Sequence, residues 1–153
     1  MSILDLIYPQ KCRACGAKLR SKDLALCAPC RSEYEKAKKS KCEKCGRKFF
    51  DCTCRASVGD KFVREYFTLF KYSKDTPGGA LILSIKDRKD AQALKLLSRD
   101  MEGVLRKRLP LGAETLLTYV PRKPESLREK GVDQARELTK RISENSDLPY
   151  AQP

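Results

Sequence analysis

All eight cysteines of this chain fall in four close pairs between positions 12 and 54: Cys12 and Cys15, Cys27 and Cys30, Cys42 and Cys45, Cys52 and Cys54. Two cysteines three apart in a tight turn present both sulfurs to one cation, and two such pairs complete a tetrahedral site. Gly16 and Gly46 directly follow the first and third pairs, where a turn closes most easily on glycine. The chain has no histidine, so any soft-metal site uses cysteine alone and every mechanism that needs an imidazole is excluded. Eight thiolates suffice for two Zn2+. With every position filled by cysteine no coordination site is left open, and the metal expected is structural rather than catalytic.

Disulfides are disfavoured, because residues 1–10 (MSILDLIYPQ) have neither a basic start nor a small-residue cleavage site. A redox dithiol needs one or two pairs rather than a regular array of four. Four-cysteine iron–sulfur ligation fits less well, because the clustered ferredoxin spacing is absent. Two ligand partitions remain. Sequential grouping places Cys12, Cys15, Cys27 and Cys30 on one ion and Cys42, Cys45, Cys52 and Cys54 on the other; interleaving pairs first with third and second with fourth. The short loops favour the sequential one.

No cysteine follows Cys54, and that break divides the chain into a metal-held module at residues 1–57 and a second part at residues 58–153. Ile3, Leu4, Leu6 and Ile7 suggest a short helix ahead of the cysteines. Residues 27–39 (CAPCRSEYEKAKK) read as a helix beginning beside two ligands. After a turn at Val58-Gly59-Asp60, residues 62–72 (FVREYFTLFKY) read as a strand or hairpin arm. Pro77-Gly78-Gly79 reads as a chain break, and residues 80–86 (ALILSIK) as a short apolar helix. Thr76-Pro77-Gly78-Gly79 has neither the spacing nor the following lysine of a phosphate loop and is taken as a turn. From Asp90, a capping residue, Ala91, Leu94, Leu97, Met101, Val104 and Leu105 follow helical spacing up to Pro110. Residues 114–120 (ETLLTYV) form an apolar run bounded by Gly112 and Pro121, which reads as a buried strand. A helix from about Glu125 to Ile142 follows, with Gly131 as either an interruption or a point of close approach.

The 33 Lys and Arg against 20 Asp and Glu give a formal +13. Two filled four-thiolate zinc sites reduce this to roughly +9, which still points to phosphate-bearing partners. Pro121-Arg122-Lys123-Pro124 follows the expected strand where a parallel sheet places its ligands, and suits a phosphate or pyrophosphate. Lys86, Arg128 and Lys130 lie where they add charge; the competing reading is a solvated basic surface. A second cluster, Lys36, Lys38, Lys39, Lys41, Lys44, Arg47 and Lys48, runs through the cysteine module, with Phe49 and Phe50 as either core of that module or stacking platforms for single-stranded bases. No run of apolar residues approaches the length of a membrane span, and the expected location is the cytoplasm.

The ILDLIYPQKCRACG start, the four cysteine pairs, the SIKDRKD segment before a long helix and TYVPRKPESLREKGVDQARELTKRI together resemble the ComF family of competence-associated proteins over residues 1–145. The resemblance implies an α+β/α/β chain: an N-terminal double zinc ribbon, then the first part of a type I phosphoribosyltransferase-like α/β domain. It implies pyrophosphate contacts at Arg122 and Lys123, with Arg128, Lys130 and Gln134 matching the family's Arg-Gly-Phe-Asn-Gln-like stretch, written here Lys130-Gly131-Val132-Asp133-Gln134. It also implies an association with DNA uptake, hence single-stranded DNA and uptake machinery as partners. The two acidic residues and Thr/Gly-rich loop that hold phosphoribosyl pyrophosphate (PRPP) in such enzymes have no counterpart after Pro121. The expectation is a chain cut short at its carboxyl end, with no catalytic residue to assign, inactive alone, whose full-length form takes PRPP.

Overall fold

The computed structural model describes residues 9–52, 54, 67–88, 90–108 and 114–153. The expected helix of Ile3–Ile7, the turn at Val58-Gly59-Asp60 and the first half of the run at 62–72 lie outside them. Among the described residues five helices carry the fold: α1 (Ala28–Lys39), α2 (Pro77–Arg88), α3 (Ala91–Arg108), α4 (Pro124–Lys130) and α5 (Gln134–Ser146). A 3-10 turn spans Phe49–Asp51. Strand pairing among the described residues is confined to isolated bridges, so the protein is mostly helical there and no α/β sheet is formed.

The cysteine region is built on one eight-residue pattern used twice: Lys-Cys-x-x-Cys-Gly-x-Lys at residues 11–18 and 41–48. In each copy the flanking lysines form an antiparallel bridge. The amide of the first cysteine donates to residue 17 or 47 at 2.8 or 2.7 Å, and the glycine amide donates back to that cysteine's carbonyl at 2.9 or 2.8 Å. Gly16 and Gly46 hold φ of 75° and 67°, a left-handed conformation that a Cβ disfavours. α1 starts directly after Cys27, with a proline in its first turn and Lys36, Lys38 and Lys39 in its last, where cations complement the helix dipole.

α2 begins at Pro77, three residues before the expected start. Proline suits the first helical position, and the hydroxyl of Thr76 accepts from the Gly79 amide at 3.2 Å as a cap. The two glycines read as a break because of their propensity, yet they sit in the first turn because nothing larger fits. A Cβ at Gly78 would fall 2.6 Å from the Phe70 ring, and one at Gly79 would fall 1.9 Å from the Ser73 carbonyl oxygen. Phe67–Tyr72 form no strand; Phe70 instead turns inward to meet Tyr34 edge-to-face, at 5.6 Å and 72°.

The cap at Asp90 is as expected. Its Oδ1 accepts from the amides of Gln92 and Ala93 at 3.0 and 2.9 Å, and α3 runs on to Arg108. The helix expected from Glu125 to Ile142 is two helices. Gly131, at φ 66°, ends α4. Asp133 then caps α5, accepting from Ala135 and Arg136. Residues 114–120 are extended but not buried: Leu116 is 59% and Val120 86% exposed. An apolar run is buried as a strand only when layers cover both faces, and here the ladder contact among the described residues is a parallel bridge between Leu117 and Tyr150. Pro149 accepts from the Leu117 amide, and Leu117 from the Ala151 amide, each at 2.9 Å. The order is therefore extended segment, α4, α5, second parallel segment, where the sequence offers only one strand.

One core joins ribbon and helices. Cys12, Leu19, Ala25, Leu26 and Tyr34 from the first region cluster with Phe70, Leu81, Ile85, Ala93, Leu94 and Leu97 from the second. α3 packs chiefly on α5, while α2 lies against both α3 and α1. No described helix is long and apolar enough to cross a membrane.

Candidate metal centres and a basic cleft

Folding of the knuckles and of the start of α1 brings Cys12, Cys15, Cys27 and Cys30 into one group, and Cys42, Cys45, Cys52 and Cys54 into another. Within each group the sulfurs all lie within 4.8 Å of one another. This is the sequential partition. A Zn–S bond of about 2.3 Å gives a tetrahedral edge of about 3.8 Å; the Cys15 and Cys27 sulfurs are 3.6 Å apart and those of Cys45 and Cys52 are 3.7 Å apart. The donor sets thus fit a zinc ion each.

The surrounding backbone favours thiolate. At Cys12 burial pushes the thiol up, but hydrogen bonds from the Cys15, Cys27 and Ala14 backbone outweigh it and leave the group at about 6, from 9.0. The Cys27 amide is 3.3 Å from the Cys12 sulfur. Backbone hydrogen bonds from Cys45 and Lys44 likewise bring Cys42 down to about 6. The neighbours then resist further ionisation. Cys54 is pushed up to about 12 by the Cys45 and Cys52 sulfurs, and Cys30 is driven upward by burial and by the sulfurs of Cys27, Cys15 and Cys12. A dication at the centre of each group removes that opposition.

The second region holds a cleft of about 510 Å³ bordered by Tyr119, Arg122, Asp133, Arg136, Glu137 and Arg141, with an apolar side that includes Ile85, Ala91 and Leu94. Asp133 organises its rim: one carboxylate oxygen caps α5, and the other accepts from the Arg122 amide at 2.8 Å. The loop after the extended segment is thereby tied to the helix that follows it. Arg122 Nη1 and Gln134 Nε2 are both buried with no hydrogen-bond partner among the described residues.

Of the four phosphate candidates whose side chains are described, Arg122 alone borders this cleft. Lys123, Arg128 and Lys86 are exposed and are not among the residues that border it; Gln134 opens α5 beside Asp133. The Lys130 side chain lies outside the described structure. Arg136 and Arg141 were missed. Their only sequence signal is their spacing from Asp133, in steps of three and four that put 133, 136, 137 and 141 toward one side of the helix, and that signal appears only once the helix is known to restart at 134.

In the basic cluster of the ribbon, Lys36, Lys39, Lys41, Lys44 and Arg47 are exposed. Lys38 is not displayed. Its ammonium is 2.9 Å from both Glu35 and Asp100 and lies 5.0 Å above the Tyr34 ring. Phe49 is half-buried beside the second sulfur group.

Residues 3–60 match the family model of the double zinc ribbon domain. No curated protein and no solved structure matches the chain. The amino-terminal part of this chain is a double zinc ribbon with two four-cysteine sites, consistent with two structural zinc ions.

Proposed function

We propose that the chain is a ComF-like protein associated with DNA uptake, in which the zinc ribbon is joined to a phosphoribosyltransferase-like part that takes a phosphate or pyrophosphate group at Arg122. The observation that carries the reading is Arg122 itself. It lies in the loop between an extended segment and a helix, its amide is fixed by Asp133, and its buried Nη1 has no partner among the described residues. A buried guanidinium nitrogen left unbonded is costly, and a ligand oxyanion in the cleft satisfies it. Arg136 and Arg141 supply further charge at the same rim. Transferase chemistry is assigned only to a form that also carries an acidic pair and a Thr/Gly-rich loop to hold the ribose and 5′-phosphate of PRPP. Eight cysteines grouped as metal ligands rather than paired in disulfides fit a reducing compartment, and we place the protein in the cytoplasm.

Titration calorimetry with inorganic pyrophosphate tests this on the zinc-loaded chain. Arg122→Ala should weaken binding by roughly ten- to a hundredfold, the cost of a lost charge-assisted hydrogen bond, while Arg128→Ala should leave it nearly unchanged. Equal binding by the Arg122→Ala variant would remove the assignment.

A second reading, a nucleic-acid-binding ribbon, is favoured by the exposed Lys36, Lys39, Lys41, Lys44 and Arg47. If they neutralise phosphates, affinity for single-stranded DNA should fall steeply with salt, by about 0.7 unit of log–log slope per phosphate contacted. Binding that ignores salt, or none, would leave partner docking as the ribbon's role.

A further inference from the structure

The two knuckles share one backbone pattern, but the residue after the first cysteine does different work in each. In the second copy this is Glu43, which pairs with Lys71 at 2.8 Å, both side chains being well exposed. In the first copy it is Arg13, whose guanidinium pairs with Asp90, 77 residues away; that carboxylate is 5% exposed. The rest of the Arg13 fork is also committed, to the Lys11 carbonyl at 2.8 Å and the Gln10 side chain at 3.3 Å. Its amide donates to Ala25 at 3.0 Å, so the knuckle is held against the segment leading to Cys27.

Asp90 is the cap of α3. With one oxygen on Arg13 and the other on the Gln92 and Ala93 amides, it joins the first metal knuckle to the start of α3. Ala91 and Leu94 in that first turn border the Arg122 cleft. Cys12, Cys27 and Cys30 also pack in or against the common core, whereas no second-site cysteine does. Among the described residues the second ribbon meets α3 at its far end, where Arg108 lies 3.5 Å from Asp51 in a partly exposed pair.

We infer that metal occupancy of the first four-cysteine site, and not of the second, sets the order of the α3 start and so of one wall of the cleft, with Arg13 and Asp90 as the positioning residues. Binding two sulfurs of the Cys12–Cys15 knuckle to one ion fixes the backbone between them, and Arg13 lies on that backbone. When the ion leaves, the knuckle loses its shape, Asp90 loses its buried partner, and the first turn of α3 frays. The ribbon is in this sense a metal-dependent clamp on the neighbouring helices. The inference does not depend on which ligand the cleft takes.

Hydrogen exchange on the full zinc-loaded chain tests it, read at the Gln92, Ala93 and Leu94 amides, with metal content measured on the same samples. Cys15 is exposed, so Cys15→Ser removes a ligand with little disturbance of the core. It should raise exchange at these amides by about tenfold or more, the scale set by leaving a buried carboxylate unpartnered, while Cys45→Ser should leave them unchanged. Arg13→Ala, which keeps all eight cysteines, should hold two zinc ions and still raise exchange there by a similar factor. Arg13→Lys should restore part of the protection. If Cys15→Ser fails to fold, Arg13→Ala decides alone. Unchanged exchange in a two-zinc Arg13→Ala protein, or an equal rise in Cys45→Ser, would overturn the inference.

Discussion

Replacing Tyr34 with alanine should lower the stability of the zinc-loaded chain by about 3–5 kcal/mol, the range for removing a large ring from a packed core. Tyr34 has no solvent exposure, and it is where ribbon and helices meet. Its ring packs edge-to-face on Phe70, its hydroxyl donates to Asp100 of α3 at 2.8 Å, and Lys38 covers its face while pairing with the same carboxylate. Burial and the Asp100 charge drive the phenol far above its ordinary range, so the hydroxyl remains a donor at any working pH. Tyr34→Phe keeps the ring and should cost only about 1.5–3 kcal/mol, the scale of one hydrogen bond to a charged acceptor. Urea titrations of the three proteins check the ratio. A Tyr34→Ala protein within about 1 kcal/mol of the parent, the size of an ordinary surface substitution, would mean that the two regions fold independently.

The second large effect falls on a glycine. Gly79→Ala should destabilise by about 3 kcal/mol, at the upper end of typical overpacking costs, because the added methyl would meet the Ser73 carbonyl, a backbone atom that cannot rotate away. Gly103, in the middle of α3, has open space around the corresponding position. Gly103→Ala should stabilise by up to about 1 kcal/mol through helix propensity alone. Thermal melts of the two variants should therefore move in opposite directions. A shared direction would show that propensity, rather than the closeness of Ser73, decides at both sites.

Those two glycines also show what the sequence could and could not reveal. A residue type carries information about its own backbone: Gly16 and Gly46 after cysteine pairs and Asp90 before a helical run were legible, because turn closure and capping are local chemistry, whereas Gly131 could be read either as an interruption or as a point of close approach, and the cap at Asp133 emerged only with the structure. The sulfur grouping was legible for the same reason, since short loops leave little freedom. Gly78 and Gly79 misled because their cause is tertiary: the Phe70 ring and the Ser73 backbone lie against them. Leu116 and Val120 were read as buried on composition, whereas burial depends on what lies across from them. The Arg13–Asp90 pair, which joins the two regions, leaves no trace in spacing at all. At the cleft, Arg122 could be read from its place after an apolar run, but Arg136 and Arg141 needed the helix restart to be known first.

The measurement that bears most directly on the whole account is the native mass of the chain, taken beside that of a Cys52→Ser/Cys54→Ser double variant, with thiol alkylation run on both. Two closed four-thiolate sites in sequential grouping predict two zinc ions on the parent and one on the variant, with Cys12, Cys15, Cys27 and Cys30 still protected from alkylation in both. Loss of both ions in the variant, or alkylation of those four cysteines while one zinc remains bound, would contradict the partition on which the ribbon, its clamp on α3 and the cleft beside it have all been built.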